Sequence, residues 1–130
     1  MGKPRSDWIY PINSIKKAGG RITGGSDWTV SSLNPLYGIE VAITRKEPGQ
    51  KDGESLIPEE AVTLETILNG YTLEAAYGLF LDEKIGSIEV GKLADIVVLD
   101  RNLFNIPKHE IHSVKVNQTI FNGKIVYEKD

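Results

Sequence analysis

The dipeptide Asn122-Gly123 constrains this chain more than any other feature. It sits between two β-rich runs, Val114 to Phe121 and Lys124 to Glu128. A two-residue hairpin turn of type I′ requires positive φ at both central residues, and Asn-Gly is the pair that adopts it most readily. The third run of this region, Ala94 to Leu99, is β-branched and apolar, a pattern that predicts a strand buried on both faces. The last third of the chain is therefore expected to be a small antiparallel sheet.

The first two thirds follow a different grammar. Residues 8 to 18 read as a short helix, with Trp8, Ile12 and Ile15 on one face and Gly19-Gly20 ending it. A short strand is expected over 21 to 25. Between 26 and 57 little is periodic. Asn34-Pro35 and Pro48-Gly49 mark turns, Gly38 to Thr44 fits either a strand or a short helix, and Glu47 to Glu54 is expected to be a mobile surface loop. Pro58-Glu59-Glu60 reads as one helical turn. Thr63 and Thr72 are placed to cap two helices. The second should bury Leu73, Ala76, Tyr77, Phe80 and Leu81. The expected division is 1–84, an α/β segment with a long loop, and 85–130, the small sheet.

Chemistry concentrates at Gly24-Gly25-Ser26-Asp27-Trp28. A carboxylate after two glycines at a strand end is where α/β enzymes place reactive groups. Spacing leaves two readings of Asp27: a turn or N-cap aspartate, or a metal ligand or general base, which needs partners. Arg45 ends the ambiguous segment and is a candidate for binding a substrate carboxylate or carbonyl, against a solvated arginine beside Lys46. His109 and His112 are the only histidines. Their i, i+3 spacing after Pro107 is not the metalloprotease helix motif. They read as a solvent-exposed loop pair, with a metal site built from His109, His112 and Asp27 at a dimer interface as the remote alternative.

Other classes are excluded by what is missing. Fifteen basic residues are scattered among eighteen acids, for a net charge of −3, with no basic stripe to hold nucleic acid. No apolar run approaches the roughly 18 residues of a membrane span. There is no cysteine, hence no disulfide framework, thiolate metal site or cysteine nucleophile. Gly-x-Ser-x-Gly, phosphate-loop and dinucleotide motifs are absent. A cytoplasmic location is expected.

Several motifs in order resemble the C-terminal end of metal-dependent amidohydrolases, in the branch of N-acyl-D-amino-acid deacylases and N-substituted formamide deformylases. They are Gly25-Ser26-Asp27-Trp28-Thr29-Val30, Asn34-Pro35-Leu36, Ala42-Ile43-Thr44-Arg45, Gly70-Tyr71-Thr72-Leu73-Glu74-Ala75-Ala76, and Gly86 to Asp100 with its Lys92-Leu93-Ala94-Asp95. The hairpin Thr119 to Tyr127 closes the series. Thr29 stands where that family more often has proline.

The resemblance implies an α+β chain: the last helix–strand unit and helices of a (β/α)8 barrel, plus a small antiparallel sheet from a C-terminal sandwich. It implies hydrolysis of non-peptide C–N bonds, a divalent, zinc-type metal in the complete enzyme, and Asp27 as metal ligand and base. Asp95 is implied to be structural. The family's His-x-His pair, its bridging acid or carbamylated lysine, and its later metal histidines have no counterpart here. The chain is therefore expected to bind no metal and to lack competence alone. The implied partners are a missing barrel portion or further copies of the chain, with the alternative of a stand-alone interaction domain associating through strand edges.

Overall fold

The computed structural model describes residues 2–130. Four α-helices precede a three-stranded sheet: α1 (Ile12–Lys17), α2 (Pro35–Thr44), α3 (Leu64–Tyr71), α4 (Leu73–Gly78), β1 (Ile96–Leu99), β2 (Val116–Phe121) and β3 (Lys124–Glu128). Short 3-10 turns cover Arg5–Trp8, Pro58–Glu60, Leu103–Asn105 and Lys108–Ser113.

Local chemistry sets most of these boundaries. α1 starts later than its periodicity suggests, because Tyr10 takes a positive φ of 51° before Pro11, and a residue preceding proline is disfavoured in the helical region. Trp8 consequently leaves the helix face and is exposed. Gly19, at φ 83°, ends the helix as expected. The ambiguous segment is helical: the Asn34 side chain accepts the Leu36 N–H at 3.0 Å and Pro35 occupies the first turn. Thr63 caps α3 by accepting the Thr66 N–H. Thr72 does not cap α4. Its hydroxyl donates backwards to the Leu68 carbonyl at 2.8 Å.

Three expectations fail, each for want of a neighbour. Residues 21–26 form no strand, since the three strands of the described residues pair only with one another. The face expected to be buried on α4 is open: only Ala76 is buried, and Phe80, past the helix end at φ 58°, is 92% exposed. β1 leaves Val97 and Val98 exposed instead of burying both faces. The stretch 47–54, expected to be mobile, is fastened at both ends. Gly49 N–H donates to Glu40 Oε1 at 2.6 Å, and Leu56 N–H donates to the Arg45 carbonyl at 2.8 Å.

The sheet has order β1-β2-β3, antiparallel throughout, with Ile96 opposite Ile120 and Thr119 opposite both Val97 and Tyr127. The turn between β2 and β3 has φ 49° at Asn122 and 75° at Gly123, the type I′ signature. Asp95 fixes this turn from outside. Its carboxylate accepts the Asn122 N–H at 2.7 Å, while the Ala94 carbonyl accepts Gly123 N–H.

One core holds the chain together. It joins Leu36, Ile39, Ala42 and Ile43 of α2 with Val62, Ile67, Leu103, Ile111 and Val114. The last three lie beyond residue 84, so both ends of the chain complete the same core. Among the described residues ten hydrophobic side chains are buried, whereas twenty-four large ones are exposed. The accessible surface is 9099 Å², against about 6,800 Å² for a compact monomer of this mass. The excess surface accompanies these exposed apolar side chains.

Candidate functional site

The site begins where α1 ends. Gly20 turns the chain into the 21–26 stretch, which lies across the α3–α4 junction. Arg21 reaches Glu74 at 2.8 Å and lays its guanidinium 3.6 Å over the Tyr77 ring. The Gly24 N–H donates to the Gly70 carbonyl at 3.0 Å. The stretch delivers Asp27 into a tight turn at φ 51°, a conformation that aspartate tolerates better than most residues. Val30 N–H closes the turn on the Asp27 carbonyl at 2.7 Å, and the Ser31 hydroxyl donates to the Ser26 carbonyl.

Asp27 is thus a solvent-facing carboxylate on a turn pinned from both sides, with Trp28 exposed beside it. Among the described residues no three His, Cys, Asp or Glu side chains gather closely enough to hold a metal ion. One carboxylate does not hold a catalytic divalent ion. The residues present therefore do not make a metal centre by themselves. Two open cavities of about 380 and 400 Å³ flank Lys16 and Thr66 at the α1–α3 junction, and Asp27 lines neither.

Arg45 lies elsewhere. It is 6% exposed and occupies the left-handed C-cap of α2. Its Nε donates to the Leu56 carbonyl and its Nη2 to the Ile9 carbonyl, both at 2.9 Å. The guanidinium fastens the N-terminal segment and the 46–57 loop to α2.

The histidines are not a solvent-exposed pair. His109 is half-buried, and His112 is drawn onto Glu40, which is 1% exposed. Glu40 Oε2 accepts the His112 backbone N–H at 2.7 Å and lies 2.8 Å from its Nδ1, while Oε1 takes Gly49. The His112 ring stands edge-on to Tyr37, centroids 5.8 Å apart. Sequence reasoning missed Glu40, although a signal existed. It is the one acid in Pro35–Thr44 and sits four residues after Leu36, on the helix's apolar face.

Hydrogen bonding perturbs two other carboxyls. Glu60 is held below the usual carboxylate range first by the Ser14 hydroxyl and then by the Ser14 N–H. Ser87, followed by Lys92, does the same for Glu89. Burial pushes the Tyr71 phenol up.

No helix among the described residues is long and apolar enough to cross a membrane. The amidohydrolase family model matches residues 1–127. The N-substituted formamide deformylase of Arthrobacter pascens is 31% identical over 121 residues, covering 93% of this chain and 22% of that protein. The 5-methylthioadenosine/S-adenosylhomocysteine deaminase of Thermoanaerobacter pseudethanolicus is 33% identical, covering 91% and 28%. Among solved structures, an amidohydrolase from Thermotoga maritima superposes with a TM-score of 0.61 at 25% identity, over 91% of this chain and 26% of that one. The chain spans about a quarter of the length of the curated relatives it matches.

Proposed function

The chain belongs to the amidohydrolase family, and from that premise we propose that it supplies one corner of a site hydrolysing non-peptide C–N bonds. The helices and the 21–26 stretch stand as the last unit of a (β/α)8 barrel, and 85–130 as part of the accompanying sandwich. Asp27 is the carboxylate of that corner. In the complete site its oxygen takes a proton from the attacking water and later passes it to the leaving nitrogen. The metal expected in such a site needs more ligands than the described residues bring together.

The excess accessible surface carries this reading. It amounts to roughly 2,300 Å² over a compact monomer on this side alone, and obligate interfaces bury about 2,000–5,000 Å² counted over both partners. Its occupant is the remaining part of an amidohydrolase, on the same polypeptide or another. The names of the relatives, a formamide deformylase and a deaminase, support C–N bonds as the target.

The test is a graft. This chain replaces the matching segment of the Arthrobacter pascens deformylase, and N-substituted formamides and N-acyl amino acids are offered with a divalent metal. Turnover is expected in the graft and is lost in Asp27→Ala. A folded graft equally active with Asp27→Ala refutes the role of Asp27. Turnover by the isolated chain that vanishes in Asp27→Ala refutes the need for a partner. A second copy is the competing occupant, through the exposed edge of β3. Sedimentation at several concentrations separates the two, since self-association would yield a stable oligomer of the pure chain.

A further inference from the structure

The stretch ahead of Asp27 has no sheet to hold it, so its position rests on what the α3–α4 junction offers. Two glycines, Gly24 and Gly38, converge there on the Tyr71 side chain, and a third, Gly70, lies against the backbone of the stretch itself. A Cβ added at Gly24 would lie 2.6 Å from Tyr71 Cζ and closer still to Cε2. A Cβ at Gly38, in α2, would collide with the Tyr71 hydroxyl. At Gly70, one residue before Tyr71, a Cβ would meet the Ile22 carbonyl at 3.0 Å. The Gly70 carbonyl itself receives the Gly24 N–H at 3.0 Å. The ring is laid against backbone on two sides, a closeness that only glycine permits.

We propose that Tyr71 is the positioning residue of the Asp27 corner. Its ring fixes Gly24 against α3 and its hydroxyl end reaches Gly38 of α2. The stretch is thereby held to two helices without a neighbouring strand, and Asp27 is presented three residues further on. Burial of the phenol, which raises its pKa, agrees with an apolar seat. What the corner serves rests on the reading of Asp27 above; the clamp itself concerns geometry within this chain.

Amide exchange on the full chain tests it. The Gly24 and Val30 amides report the corner, and the Val62 amide, bonded to the Ala42 carbonyl at 3.0 Å, reports the core. Tyr71→Leu is expected to speed exchange at Gly24 and Val30 by about tenfold more than at Val62. Tyr71→Phe, which keeps the ring, is expected to retain the corner's protection. Gly24→Ala is expected to lower the unfolding midpoint in the parent chain and to be nearly neutral in a Tyr71→Ala background, where the Cδ2, Cε2 and Cζ atoms it would meet are gone. In the active graft, Tyr71→Leu is expected to lower kcat with KM little changed, and Tyr71→Phe to restore it. Equal acceleration at all three amides, no acceleration at all, or a Gly24→Ala cost that is the same in both backgrounds overturns the proposal. A graft whose turnover ignores Asp27 refutes the function instead and leaves the exchange result standing.

Discussion

Replacing Glu40 isolates the most deeply buried carboxylate among the described residues, one that joins distant parts of the chain. It is 1% exposed and accepts three hydrogen bonds, from Gly49 N–H, His112 N–H and the His112 ring. Glu40→Leu nearly preserves volume but strands two backbone donors that cannot themselves be removed. Each stranded donor costs about 1–3 kcal/mol, partly offset because the charge no longer has to be buried. The expected loss is about 3 kcal/mol out of the roughly 5–15 kcal/mol typical of a domain. Glu40→Gln should cost less, about 2 kcal/mol, since its oxygen keeps one donor while its amide faces the other. His112→Phe should cost about 1 kcal/mol, because the backbone N–H keeps its acceptor. The assay is urea unfolding followed by tryptophan fluorescence. At a slope near 1.5 kcal/mol/M, Glu40→Leu should lower the midpoint by about 2 M. A Glu40→Leu midpoint at or above the parent's would refute the reasoning, because it would show that neither backbone donor depends on this acceptor.

Two further outcomes are expected. The Glu60 carboxyl is depressed by its Ser14 hydrogen bonds, so its contribution is fully present above the ordinary carboxylate pKa and is lost as pH falls through the folded-state value. Glu60→Gln should therefore flatten the acid limb of a stability-versus-pH curve, and an unchanged limb would refute the assignment. Gly123→Ala meets no atom within 4 Å but keeps φ at 75°, so its cost is conformational, about 1 kcal/mol. Faster amide exchange in β3 with an unchanged core is the expected signature, and none is expected for Asn122→Gly.

What could be read from the sequence is what the covalent neighbourhood decides. Asn122-Gly123, the Thr63 cap, the Pro58 turn and the Gly19 stop appear where expected, because each depends on a few consecutive residues. The segment after Asn34 is ambiguous while Asn34-Pro35 reads as a turn; as an N-cap followed by proline it announces α2. The strand at 21–25 and the buried face of α4 were readable as tendencies, yet neither forms, since both need a surface the chain lacks. Glu40 and His112 lie 72 residues apart, and no local pattern reports such a pairing. The turn at Asp27 is one of the two readings its spacing leaves open, whereas the ring that seats its approach has no local signal.

The shared core sets what can be separated from what. Leu103, Ile111 and Val114 come from the last third of the chain, yet they close the cluster begun by α2 and α3. A cut between residues 84 and 85 would strip the helices of a wall and leave the sheet as three short strands with both faces wet, below what stands alone in water. Limited digestion there should therefore yield two unfolded peptides instead of two domains. Helices and hairpin therefore move between proteins together.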